Sequence, residues 1–341
     1  MTADGPFSRR PLRQVSCLAG LAAALLLAAP APARAFLFGG SGSRKAGTLL
    51  GEMGSAFERG DCVAVIEKYG VFSGEKPPAE MREEAYGYLG RCFEASGSTD
   101  KAIGLYKLAL GLYPENSLFA FRLGLIYNQA GFPENAAPLF SKVLAGYPDD
   151  MGATLGLARA YASLGFLAKA GDSYSRAVIL QDFKDVPVLK EYAFCMLKKR
   201  DWKEALFVAG KGEQASHGLA AWPLVEARVR AGQGEYYKAL TAIETAIRLE
   251  PSRRLRLERA LYLLMGGLPQ RAMLAADAEL LLNKADPLAS LVKGMALYKL
   301  GDKAGAAAYF AVAGSGEPFT ARIAASFLNV PAVGTEKSCK K

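Results

Sequence analysis

The feature that most constrains this chain is a ladder of small, aromatic and turn residues that recurs every 34 positions. Leu89, Gly90, Phe93, Gly97, Ala102, Tyr106, Ala109 and Pro114 are answered by Leu123, Gly124, Tyr127, Gly131, Ala136, Phe140, Val143 and Pro148. Leu157, Ala158, Tyr161, Gly165, Ala170, Tyr174 and Ala177 follow in the same register. A register kept through successive blocks implies an array of like units rather than one domain around one core. A generic bundle of Ala- and Leu-rich amphipathic helices has no reason to keep it.

Within a block the spacing predicts two helices. Leu123, Gly124 and Tyr127 lie three and four apart and so share a face, and Gly131 marks a turn. Ala136, Phe140 and Val143 repeat the spacing on a second helix, where the alanine lets the partner approach and the phenylalanine fills the space towards the next block; Pro148 then stops the helix. Neither helix can bury its stripe alone, so stacking makes the unit stable. Fainter blocks carry Gly60, Val65 and Tyr69 before the clear ones. After them come Trp202 with Ala205, then Gly234, Ala239, Ile243, Ala246 and Pro251, then Gly267 with Ala272, and finally Gly294, Gly301, Ala306, Phe310 and Ala313. Eight units are expected between Ala46 and Thr320, the first, fifth and seventh degenerate, and in the fifth Ala209 stands where an aromatic belongs.

The pattern closely resembles the tetratricopeptide repeat family. The resemblance implies an all-α, right-handed superhelical solenoid of about eight helix-turn-helix repeats whose first helices line a concave binding groove. Carried over by register, the groove positions include Tyr88, Arg91, Phe121, Arg122, Leu125, Asn128, Leu155, Arg159, Phe194, Lys198 and Arg228. Arg91, Arg159 and Arg228 fall at equivalent points of three repeats. They either present guanidinium forks to carboxylates or phosphates or are ordinary solvated charges on a wet groove. The family's best-known peptide clamp wants Asn where Arg91 stands, which argues against capture of a chaperone-type C-terminal carboxylate.

In the resembled fold Cys62, at the start of the first unit's second helix, abuts Cys92 on the next unit's first helix. The implied Cα separation suits a disulfide, roughly 4.4 to 6.8 Å. Closing that loop would stabilise the end unit by roughly 3 to 4 kcal/mol on the chain-entropy model. Two ordinary buried thiols are the alternative. Cys195 reads as a buried thiol and Cys339 as a tail thiol.

Arg9, Arg10 and Arg13 precede an apolar run from Val15 to Ala29 and an Ala33-Arg34-Ala35 close, the pattern of an export signal cleaved before Phe36. Ser8-Arg9-Arg10 leaves a twin-arginine route open, and an uncleaved anchor, the one route to membrane association, is the alternative to cleavage. Cys17 precedes the apolar run instead of following it, so it is no lipid-attachment site. The division is then a signal over 1–35, a flexible Gly/Ser-rich leader over 36–45, repeats over 46–320 and a tail over 321–341. The formal charge of +9 falls to about +6 without the signal, which carries four arginines and Asp4. That surplus suits an acidic peptide or an anionic glycan and, without a matching motif, no nucleic acid.

No constellation points to catalysis, and neither a cofactor nor a metal is expected. His217, the one histidine, lies in the turn Ser216-His217-Gly218, and no cysteines cluster for zinc. Gly39-Gly40-Ser41-Gly42-Ser43-Arg44-Lys45 lacks phosphate-loop spacing. Arg248, Arg253, Arg254, Arg256 and Arg259 cluster where two repeats meet, balanced in part by Glu250 and Glu258. They read as helix-end charges or as a contact for an anionic lipid or glycan. The functional expectation is an exported, periplasmic adaptor holding partner polypeptides during envelope assembly or secretion. An accessory of an extracellular polysaccharide machine is the alternative.

Overall fold

The computed structural model describes residues 41–328, and within them it contains seventeen helices and no strand. The export signal, its cleavage point, Cys17, Cys339 and the end of the tail lie outside the described residues. The chain forms two compact units that divide after Ile126, inside one helix. The first unit holds α1 (Ser41–Glu58), α2 (Cys62–Gly74), α3 (Ala79–Ala95), α4 (Thr99–Leu112) and most of α5 (Ser117–Gln129). The second continues with α6 (Pro133–Gly146), α7 (Met151–Ser163), α8 (Leu167–Leu180), α9 (Val186–Lys199), α10 (Trp202–Ala215) and α11 (Ala221–Gly232). It ends with α12 (Tyr236–Leu249), α13 (Arg253–Met265), α14 (Pro269–Leu282), α15 (Pro287–Lys299), α16 (Lys303–Ala313) and α17 (Pro318–Leu328). Within each unit helices pack on their sequence neighbours, the solenoid mode of stacking.

The residue five places after the turn glycine seats each second helix. Val65 and Ala102 in the first unit, and Ala136, Ala170, Ala205, Ala239, Ala272 and Ala306 in the second, are all wholly buried. Aromatic rings close the remaining space. A Cβ built on Gly90 would stand 2.4 Å from the Tyr106 ring, on Gly156 2.5 Å from Phe140, and on Gly294 2.8 Å from Phe310. Each such ring contributes roughly 1.5 to 3 kcal/mol through burial. Aspartates start several helices by accepting a backbone N–H three residues on, as Asp150 does from Ala153 at 2.7 Å.

The units expected to be degenerate are repaired locally. In the fifth, the space left by Ala209 goes with two tryptophans: Trp222 lies against Gly212, where a Cβ would meet the indole at 2.4 Å, and Trp202 lies against Gly232 at 2.7 Å. Its turn has Arg200 at φ 62°, the left-handed conformation that Gly165 (77°) and Gly234 (80°) adopt in the flanking repeats. In the seventh, Glu279 takes a second-helix packing position and is 4% exposed; Arg256 forks onto it at 2.5 and 3.1 Å.

Both boundaries of the array differ from the sequence expectation. Residues 41–45, assigned by Gly/Ser content to the flexible leader, belong to α1. Ala46 is wholly buried there and Lys45 pairs with Glu75 at 2.5 Å, so the turn is held by tertiary contacts that composition does not register. Residues 321–328, assigned to the tail, belong to α17, which packs on α15 and α16 through buried Thr320 and Ala324. Phe327 stacks on Phe310 at 4.8 Å, giving the last repeat the neighbour it otherwise lacks.

Relieving the left-handed strain by Arg200→Gly is expected to raise stability by about 1 kcal/mol. Gly212→Ala is expected to cost about 1 to 3 kcal/mol, because the rigid indole of Trp222 cannot retreat. Thermal unfolding checks both; a fall in Tm for the first or no change for the second contradicts the packing described.

Candidate functional site

The first-helix faces are where the two units present side chains not consumed by stacking, and each unit arranges them differently. In the first unit α1 contributes Phe57 and α3 contributes Tyr88 and Arg91. The Phe57 and Tyr88 rings lie 5.3 Å apart, and the Arg91 guanidinium lies over Phe57 at 4.4 Å. Arg91 is exposed and, among the described residues, has no carboxylate partner. Tyr88 donates to Glu84 at 2.8 Å; burial and then this carboxylate push its phenol up to about 12. On α5, Phe121, Arg122 and Leu125 are half-buried. Arg122 stands 3.6 Å from Glu94, which also accepts the Tyr106 hydroxyl at 2.6 Å.

Beside this cluster Cys62 and Cys92 form a disulfide, with Cα atoms 5.1 Å apart and a sequence separation of 30. Cys92 is wholly buried, and the bond ties the start of α2 to α3 one residue from Arg91. Cys195 remains a buried free thiol whose pKa is raised by burial.

In the second unit the corresponding groups are engaged by neighbouring repeats. Asn128 donates to the Gly156 carbonyl at 2.7 Å, and Leu155 packs partly buried in the core. Arg159 forks onto Glu191 with both contacts at 2.8 Å, and Glu191 also accepts the Tyr174 hydroxyl at 3.1 Å. Arg228 forks onto Glu258 at 2.8 and 2.9 Å, and Tyr262 donates to the same carboxylate at 2.6 Å. The Arg228 guanidinium also covers the Phe194 ring at 5.5 Å, while Lys198 is exposed. The three equivalent arginines are therefore not alike: two fork onto a glutamate of the next repeat, and Arg91 instead lies over an aromatic ring of the preceding one. Phe57, Glu94, Glu191 and Glu258 were not among the expected site residues. The signal for the last two is an acid 30 or 32 residues after a first-helix arginine.

Nothing in the described residues groups three or more candidate metal ligands. His217 is 82% exposed and 3.6 Å from Glu213, a turn residue facing solvent. No helix of the described residues is long and apolar enough to cross a membrane.

Burial resists ionisation of Glu258, but Arg228 and the Tyr262 hydroxyl outweigh it and hold the carboxyl below the usual 4.5. The unfolded chain therefore takes up this proton first as pH falls. The pair stabilises the protein fully above about pH 4.5 and loses that contribution as pH drops through the depressed native value. In urea unfolding from about pH 5 to about pH 3, Glu258→Gln is expected to lose less stability than the parent chain. Parallel losses in the two proteins contradict this role for the pair.

The family model of the tetratricopeptide repeat matches residues 79–117, 121–185 and 224–288. No curated protein matches the chain. Among solved structures, a tetratricopeptide repeat protein from Parabacteroides merdae is similar over 72% of this chain and 99% of its own, at 19% identity and a TM-score of 0.59. YrrB, described as having an unusual peptide-binding site, is similar over 51% of this chain and 89% of its own, at 20% identity and a TM-score of 0.48.

Proposed function

The chain belongs to the tetratricopeptide repeat family, a fold that scaffolds protein and peptide partners, and on that premise we propose an exported adaptor that holds acidic partner polypeptides for envelope assembly or secretion. The observation that carries the acidic preference is Arg91. Its guanidinium is preoriented on Phe57, exposed and uncommitted, so its N–H edge can fork onto a carboxylate while Tyr88 supplies apolar and phenolic contact. Arg159 and Arg228, whose donors already bind Glu191 and Glu258, give no such edge without breaking a fork.

Export is supported by two independent features. The N-terminal arginines and apolar run have the form of a cleavable signal. The Cys62–Cys92 bond is the kind that persists in oxidising compartments. Envelope assembly is the role that combines such a location with a scaffold for peptide partners.

Two measurements test the reading. Arg91→Ala is expected to weaken capture of a glutamate-rich peptide by about tenfold, whereas Arg159→Ala, which loses only a partly exposed pair, leaves capture unchanged. Equal capture by Arg91→Ala and the parent chain overturns the acidic preference. N-terminal sequencing of the protein from its own envelope fraction is expected to begin at Phe36; an intact Met1 in a membrane fraction overturns cleavage.

A further inference from the structure

The arginine cluster at α12 and α13 is not absorbed by the peptide-binding reading, and it divides on inspection. Arg253 pairs with the wholly buried Asp286, and Arg256 forks onto Glu279. Two others converge on an open cleft of about 390 Å³ between α12 and α13, lined by Thr241, Glu244, Ile247, Arg248 and Arg259. Arg248 makes a single hydrogen bond, to the Thr245 hydroxyl at 3.0 Å. Arg259 makes none: its Nε is buried without an acceptor and its Nη1 stands 4.0 Å from Glu244. A guanidinium left short of acceptors is uncommon, because the missing hydrogen bonds cost stability.

We propose that this cleft binds a uronate-type sugar, a ring bearing a carboxylate beside hydroxyls. The volume lies at the small end of the range for small-molecule sites, about 300 to 1,000 Å³. The carboxylate bridges Arg248 and Arg259, where charge-assisted hydrogen bonds supply the missing acceptors. Glu244 decides between anions. Standing beside Arg259, it repels any anion held by the two arginines, phosphate most through its higher charge, and only a uronate offsets this by donating a hydrogen bond from a hydroxyl adjacent to its carboxylate. Thr241 donates to the Tyr237 carbonyl at 3.3 Å, so its oxygen can accept a second hydroxyl, and Ile247 offers an apolar wall to the ring. The backbone N–H groups in the bodies of α12 and α13 are paired within their helices, so a peptide main chain finds no backbone ladder here. The cleft belongs to the second unit, shares no residue with the Arg91 cluster and does not rest on the peptide reading.

Calorimetric titration of the full chain with digalacturonate tests the proposal, with galactobiose, inorganic phosphate and a glutamate-rich peptide as the other arms. Binding of digalacturonate alone at this cleft is expected, weakened about tenfold or more by Arg248→Gln with Arg259→Gln. Arg248→Gln alone, at an exposed position, is expected to show a several-fold loss and serves if the double variant does not fold. Arg254→Gln, exposed and outside the cleft, leaves binding unchanged. Glu244→Gln gives the sharpest readout: it weakens a uronate that donates to Glu244 and strengthens a plain anion. No heat with digalacturonate, equal binding of phosphate or galactobiose, tighter uronate binding by Glu244→Gln, or competition by the peptide each overturns the assignment.

Discussion

The structure depends on one close approach, repeated along both units: a small, fully buried residue of each second helix where it meets its neighbours. Seven alanines and Val65 occupy that seat, all of them fully buried. Helices this close bring an aromatic ring onto glycine, within a repeat as Tyr106 onto Gly90 and between repeats as Phe140 onto Gly156. Because second helices supply the seat and the ring, the first helices keep part of their surface for other work.

Where a repeat lacks its usual apolar pair, another physical interaction takes the position. Trp222 and Trp202 fill the fifth unit by packing on glycines, and the Arg256–Glu279 pair fills the seventh. The second solution resembles the Arg159–Glu191 and Arg228–Glu258 forks in geometry, yet its setting differs. Glu279 is buried inside a repeat beneath a partly exposed Arg256, while the other two pairs join first helices of adjacent repeats and their glutamates keep more solvent contact. Removing Arg256 would leave the buried Glu279 carboxylate uncompensated, whereas removing Glu279 leaves Arg256 in contact with solvent.

Much of this was legible beforehand. The turn glycines, the alanine seats and the paired helices follow from the 34-residue register, because sterics at close approach admit few residue types. The Cys62–Cys92 bond followed from the resemblance, which placed those two positions side by side. The boundaries did not follow, since Ser41 and Pro318 start helices held by contacts distant in sequence, such as Lys45 with Glu75 and Phe327 with Phe310. The site was half legible: register placed Arg91, Arg159 and Arg228 on equivalent first-helix positions, but which guanidinium meets an acid depends on the neighbouring helix. Arg91 meets Phe57 and the others meet glutamates, a distinction carried by residues in other repeats.

The account holds that one first-helix arginine receives the partner while two hold repeats together. Arginine-selective nitrogen spectra of the side-chain Nε–H groups, recorded as a glutamate-rich peptide is added, observe all three at once. The account predicts that the Arg91 signal shifts on binding while those of Arg159 and Arg228 stay in place. Shifts at Arg159 and Arg228 with an unmoved Arg91 would contradict it.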